Sequence, residues 1–186
     1  MSAKGGGPVQ VSAPHRAHLD GLRAFAVYLV VLFHAGLTRA GNGFIGVDIF
    51  FVLSGYLVTG LLLRDLDSEG ARIRFGRFYA RRARRLLPAA SVVLIVTAVV
   101  FAAVAAPIEF PSARTGIAAS SLYVANWYFI REASDYFAPD VATNPVLHFW
   151  SLSVEEQFYL VWPLLLTGIV WVAGRTRTNR TRALQA

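Results

Sequence analysis

Residues 86–106 read LLPAASVVLIVTAVVFAAVAA, a run without a single charge. About 20 consecutive apolar residues are what a helix needs to cross the hydrocarbon core of a bilayer, so this run predicts a membrane span. Two others resemble it: FIGVDIFFVLSGYLVTGLLL at 44–63, with one Asp, and FYLVWPLLLTGIVWVA at 158–173, with no charge. Residues 24–38 qualify with His34 as the exception, and 115–130 (TGIAASSLYVANWYFI) are a weaker candidate. Among 186 residues, 55% are hydrophobic and 16% charged, which points to an integral membrane protein.

The pattern predicts an all-α membrane bundle of about five helices and no strand. Helices over 20–39 and 44–64 are joined by the turn AGNG (40–43). The basic segment 74–85, with Phe75, Phe78 and Tyr79 on one side, is expected to lie in the interface before turning into the third helix. Pro88 then falls in the first turn or two of that helix, where a missing N–H does least harm. The weak segment 113–130 follows, then a loop over 131–147, then a helix from 147 to 173 with a kink at Pro163. The expected domain plan is a disordered tail over 1–17, a membrane domain over 18–174 and a basic tail over 175–186. The polar start lacks the apolar centre of a signal peptide, so the first helix is expected to stay as an anchor.

The net charge of +7 is localised. Arg64, Arg72, Arg74, Arg77, Arg81, Arg82, Arg84 and Arg85 stand between the second and third runs, against Asp65, Asp67 and Glu69. Interleaved aromatics can mark a nucleic-acid surface, but short arginine-rich loops beside spans are what the positive-inside rule predicts. The expectation is therefore no nucleic acid, a cytoplasmic loop and a cytoplasmic N-terminus. If 113–130 crosses, the tail RTRTNRTR (175–182) lies outside; if it is re-entrant, the tail lies inside. The absence of cysteine excludes disulfides, thiolate metal sites and a cysteine-borne thioester.

Arg23 and His34 are eleven residues apart, three helical turns and a rise of roughly 16 Å, so they share a face. His34 reads either as a neutral imidazole bonded to a neighbouring helix or as a functional group, since its ordinary pKa suits a general base near neutral pH. Asp48, inside the second run, is costly there unless paired, and Arg23 or His34 are candidate partners; a helix-end cap is the plain alternative. Arg82 and Arg85, three apart on one face, suit topology anchors or a grip on phosphates. In HFWSLSVEEQFYLVWP (148–163), His148, Ser151 and Glu155 fall on one helical stripe with Glu156 beside it. Two glutamates leading into an uncharged span need a polar cavity or the headgroup region. Neither HExxH nor GxSxG is present, and no metal site is expected.

Five stretches together carry a resemblance: HLDGLRAFAVYLVVLFHAG, GFIGVDIFFVLSGYLVT, RFYARRARRLLP, ANWYF and HFWSLSVEEQFYLVWP. In this order, over about residues 18–165, they resemble membrane acyltransferase family 3, integral-membrane O-acyltransferases that modify bacterial surface sugars and some secondary metabolites. The resemblance implies a catalytic Arg-x10-His pair at Arg23 and His34, and an Arg-x-x-Arg motif at Arg82 and Arg85 that handles acyl-CoA. It also implies a Ser-x-x-x-Glu motif at Ser151 and Glu155, beside the matched His148 and Glu156. Acyl-CoA, as acetyl-CoA, would then be a co-substrate with no bound cofactor, and a carbohydrate or cell-envelope glycan hydroxyl the acceptor. The implied location is the bacterial inner membrane. Family members resemble ten-helix proteins, so about five helices imply an incomplete bundle, completed by a second membrane half or a homo-oligomer. Two competing readings are a transporter or flippase component using His34, Asp48 and Glu155 as a path, and a non-catalytic membrane remnant.

Overall fold

The computed structural model describes residues 17–37, 43–67, 73–135 and 141–183, with side chains to residue 173. The expected disordered tail and the AGNG turn fall largely outside these residues. Six α-helices make up the described chain: α1 (Ala17–His34), α2 (Gly43–Asp67), α3 (Phe75–Val104), α4 (Phe110–Ser121), α5 (Ala125–Ala133) and α6 (Phe149–Ala183). No strand occurs among the described residues. Four helices are long and apolar enough to cross a membrane: α1, α2, α3 and the part of α6 up to Ala173. The protein is an all-α membrane protein, as the apolar runs predict. Outward-facing Val92, Ile95, Val96, Val99 and Val100 on α3 would be a liability in water but suit lipid.

Three expectations change. The basic segment does not lie apart from the third helix, because Phe75 opens one continuous helix of 30 residues. At 1.5 Å per residue that is about 45 Å, enough to cross the hydrocarbon and carry the arginines beyond its edge. Pro88 consequently sits in the helix interior. The weak segment is broken in two: α4 has 12 residues and α5 has 9, each short of a crossing. The basic segment 175–182 continues the backbone of α6 instead of leaving it as a tail.

The chain divides into two compact units, Met1–Leu53 and Ser54–Ala186, with the boundary inside α2. In the first, α1 ends in a Schellman motif. Leu37 N–H reaches Leu32 O at 3.0 Å and Gly36 N–H reaches Phe33 O at 3.0 Å. Gly36 has φ +67°, a conformation that costs a residue without a Cβ least. The start of α2 packs closely on α1 through Gly46, where a Cβ would stand 2.7 Å from Ala26 O.

In the second unit α6 lies antiparallel to α3 and parallel to the remainder of α2. Tyr79 OH donates to Leu160 O (2.9 Å), and Trp162 Nε1 donates to Thr59 Oγ1 (2.8 Å). Two apolar clusters form along α6. One joins Val58, Leu62, Ile73, Phe78, Tyr159 and Leu166; the other joins Leu94, Ala125, Phe129, Val146 and Phe149. The α4–α5 corner is tied in by polar groups. Ser153 Oγ accepts from Ala125 N–H (3.2 Å), and Asn144, pressed against Gly116, donates to Ser112 O (3.1 Å).

Candidate functional site

In the first unit, His34 is the last residue of α1 and is exposed. Its Nδ1 lies 2.8 Å from Val30 O, one turn back. A carbonyl only accepts, so Nδ1 carries a proton, and in the neutral ring the lone pair lies on Nε2. Arg23 pairs with Asp20 at 3.7 Å, within one turn of its own helix, not with Asp48. Asp48 is exposed on α2. Asp48, near the start of that span, is not paired with Arg23 or His34 among the described residues.

In the second unit, α6 brings several candidates together between the two apolar clusters. Glu155 Oε1 accepts hydrogen bonds from both Ser54 Oγ on α2 and Tyr159 OH one turn along α6. The Tyr159 ring, almost wholly buried, lies beneath the Arg82 guanidinium, whose carbon is 3.1 Å from the ring centroid. Arg82 also faces Glu156 at 3.6 Å. Gln157, next in the chain, points to the α4–α5 corner, donating to Tyr123 O (2.8 Å) and exchanging bonds with Asn126. Two carboxylates, an arginine, a tyrosine and an amide thus occupy one level of the bundle. Ionisable groups in a membrane bundle persist where they pair with one another or line a polar cavity.

A cleft of about 390 Å³ opens beside this layer, walled by Arg82, Leu86 and Leu87 of α3, Tyr123 of the corner, and Glu156 and Leu160 of α6. Arg82 Nε, Glu156 Oε1 and Tyr123 OH are buried with no hydrogen-bond partner among the described residues. Burial, reinforced by the Glu156 carboxylate, raises the Tyr123 phenol above its ordinary pKa. Tyr123 has φ +55°, and its N–H and that of Val124 close a second Schellman motif at the end of α4.

Other candidates stay apart from this layer. Ser151 Oγ donates to His148 O (3.1 Å), a bond local to the start of α6. His148 lies in the turn before the helix, and Arg85 is exposed. The i, i+4 spacing of Glu155 and Tyr159 within EEQFY was readable as a shared face. Ser54 and Tyr123 carry no such signal, since their roles come from other helices and from a backbone angle.

The model of an acyltransferase domain family matches residues 16–182. The chain belongs to this family, membrane acyltransferase family 3. Its relatives include the peptidoglycan O-acetyltransferase OatA of Listeria monocytogenes, 44% identical over 155 residues, which are 83% of this chain and 25% of that protein. The putative peptidoglycan O-acetyltransferase YrhL of Bacillus subtilis is 45% identical over 161 residues, 86% of this chain and 25% of that protein. The O-acetyltransferase OatA of Staphylococcus aureus is 41% identical over 149 residues, 80% of this chain and 24% of that protein. The chain spans about a quarter of the length of the curated relatives it matches. No solved structure matches it. The five motifs that suggested the family all lie inside the matched segment.

Proposed function

We propose that the chain is membrane machinery of an O-acetyltransferase that moves an acetyl group from acyl-CoA to a hydroxyl of a cell-envelope glycan. The observation that carries this reading is His34, whose Nδ1–H is bonded to Val30 O. That bond selects the tautomer in which Nε2 is a base at an exposed helix end. Nε2 takes the acceptor hydroxyl proton as the oxygen attacks the thioester carbonyl. The C–O bond forms, the C–S bond breaks, and the imidazolium returns the proton to the departing thiolate. The printed activities of the relatives support acetyl as the group and peptidoglycan as the acceptor class.

On this reading exposed Arg85 meets the anionic part of the donor, for which a planar guanidinium is suited. Arg82, in the wall of the cleft, meets the neutral arm, and Glu155 with Glu156 forms the acidic side of the layer. Arg23 stands three turns before His34 on the same helix as the second residue of the motif; Ser151 and His148 support the start of α6, and Asp48 is exposed on α2. The arginine-rich stretch before the third span supports, by the positive-inside rule, a cytoplasmic N-terminus at a bacterial inner membrane. A second membrane segment or a second copy of the chain would complete the cavity.

Acetyl-CoA turnover in membranes containing the chain tests this, with His34→Ala and Arg85→Ala beside the wild type. His34-dependent loss of thioester is the expected result. Equal thioester loss in wild type and His34→Ala, or none in either, would overturn it.

A further inference from the structure

Tyr159 holds two groups at once. Its hydroxyl donates to Glu155, and its ring carries the Arg82 guanidinium at 3.1 Å, itself facing Glu156 at 3.6 Å. Ser54 donates to the same oxygen of Glu155, so the carboxylate is gripped from α2 and from its own helix. Tyr159 is only 4% exposed and packs in the cluster with Val58, Leu62 and Phe78, which holds its ring in place. A guanidinium over a desolvated aromatic face is attracted by the ring quadrupole and loses its rotational freedom. A carboxylate receiving two hydroxyl bonds at one oxygen has its plane fixed as well.

We propose that Tyr159 is a positioning residue that makes Glu155 and the Arg82–Glu156 pair one rigid unit, with Ser54 as its second brace. The inference rests on the acetyl-transfer reading for its catalytic consequence, and on geometry alone for the linkage. Hydroxyl and ring act separately. The hydroxyl orients Glu155 and therefore governs the chemical step; the ring anchors Arg82.

The experiment uses the whole chain in lipid nanodiscs with Tyr159→Phe, Tyr159→Leu, Ser54→Ala and Glu155→Ala. Tyr159→Phe keeps the ring and drops the hydroxyl, so it stays informative even if Tyr159→Leu does not fold. Tyr159→Phe and Ser54→Ala are each expected to lower kcat about ten-fold and leave coenzyme A affinity within about two-fold, the split expected when only transition-state positioning is lost. Tyr159→Phe should cost nothing further in the Glu155→Ala background, since Glu155→Ala already removes the acceptor of the Tyr159 hydroxyl. The Arg82 Nε–H resonance should be shifted upfield by the ring in wild type and Tyr159→Phe, and not in Tyr159→Leu. Wild-type kcat in Tyr159→Phe, or additive losses with Glu155→Ala, would overturn the proposal. An unshifted Arg82 resonance in the wild type would do so whatever the turnover. A shifted, ring-dependent resonance without any His34-dependent turnover would sink the acetyl-transfer reading and uphold the linkage.

Discussion

In the first unit, Arg23 and His34 make polar contacts within one turn of their own helix, and Asp48 stands exposed. In the second, Glu155, Arg82 and Gln157 each reach another element, and Tyr159 ties two of them together. Local contacts leave a side chain available to an incoming group, at little cost to the fold if it is lost. Interlocked contacts build a rigid wall, and each removal strands a partner. A general base belongs to the first kind of setting and an orienting framework to the second.

The largest expected effect separates chemistry from stability. His34→Ala should reduce acetyl transfer by about three orders of magnitude, within the range for a lost general base, while unfolding in mixed micelles shifts by no more than about 0.5 kcal/mol. A large stability loss would place His34 with the framework instead. In the second unit, Glu155→Ala leaves the Ser54 and Tyr159 hydroxyls without their acceptor and should cost about 2–3 kcal/mol. Asp48→Ala in the same assay should stay within about 0.5 kcal/mol, and equal losses would erase the contrast.

Smaller effects sharpen it. Gly46→Leu would drive a side chain into Ala26 O and Val30 and should destabilise the α1–α2 contact by about 1–3 kcal/mol, read from unfolding. The two Schellman ends give the finest comparison. Gly36→Ala forces a Cβ into the left-handed region and should cost about 1 kcal/mol. Tyr123→Phe, by contrast, removes a buried hydroxyl without a partner and should stabilise the chain by about 1 kcal/mol.

The two helix ends also mark what reading residues in order reaches. HAG at the end of α1 is legible, because glycine is the residue that a left-handed cap prefers. The end of α4 is not, because a tyrosine carries no preference for that angle, and the Gln157 side chain that meets its carbonyl lies 34 residues further along the chain. The single segment expected over 113–130 broke there, and neither half keeps a spanning length. The interfacial reading of 74–85 failed for a related reason: continuous helical hydrogen bonding from Phe75 outweighed the change from basic to apolar composition.

Sequence by itself determined the membrane class, the family and the motif residues. Each of these depends on local composition and spacing, and lipid turns an uncharged run into a helix with little ambiguity. Only tertiary structure decided that Arg82 turns inward while Arg85 stays exposed, that Glu155 is held by Ser54 and Tyr159, and that Asp48 has no part in the Arg23 pair. Those outcomes depend on which helices meet and at what level along their length. Residues 101 positions apart, as Ser54 and Glu155 are, share no signal in the chain until packing brings them to one oxygen.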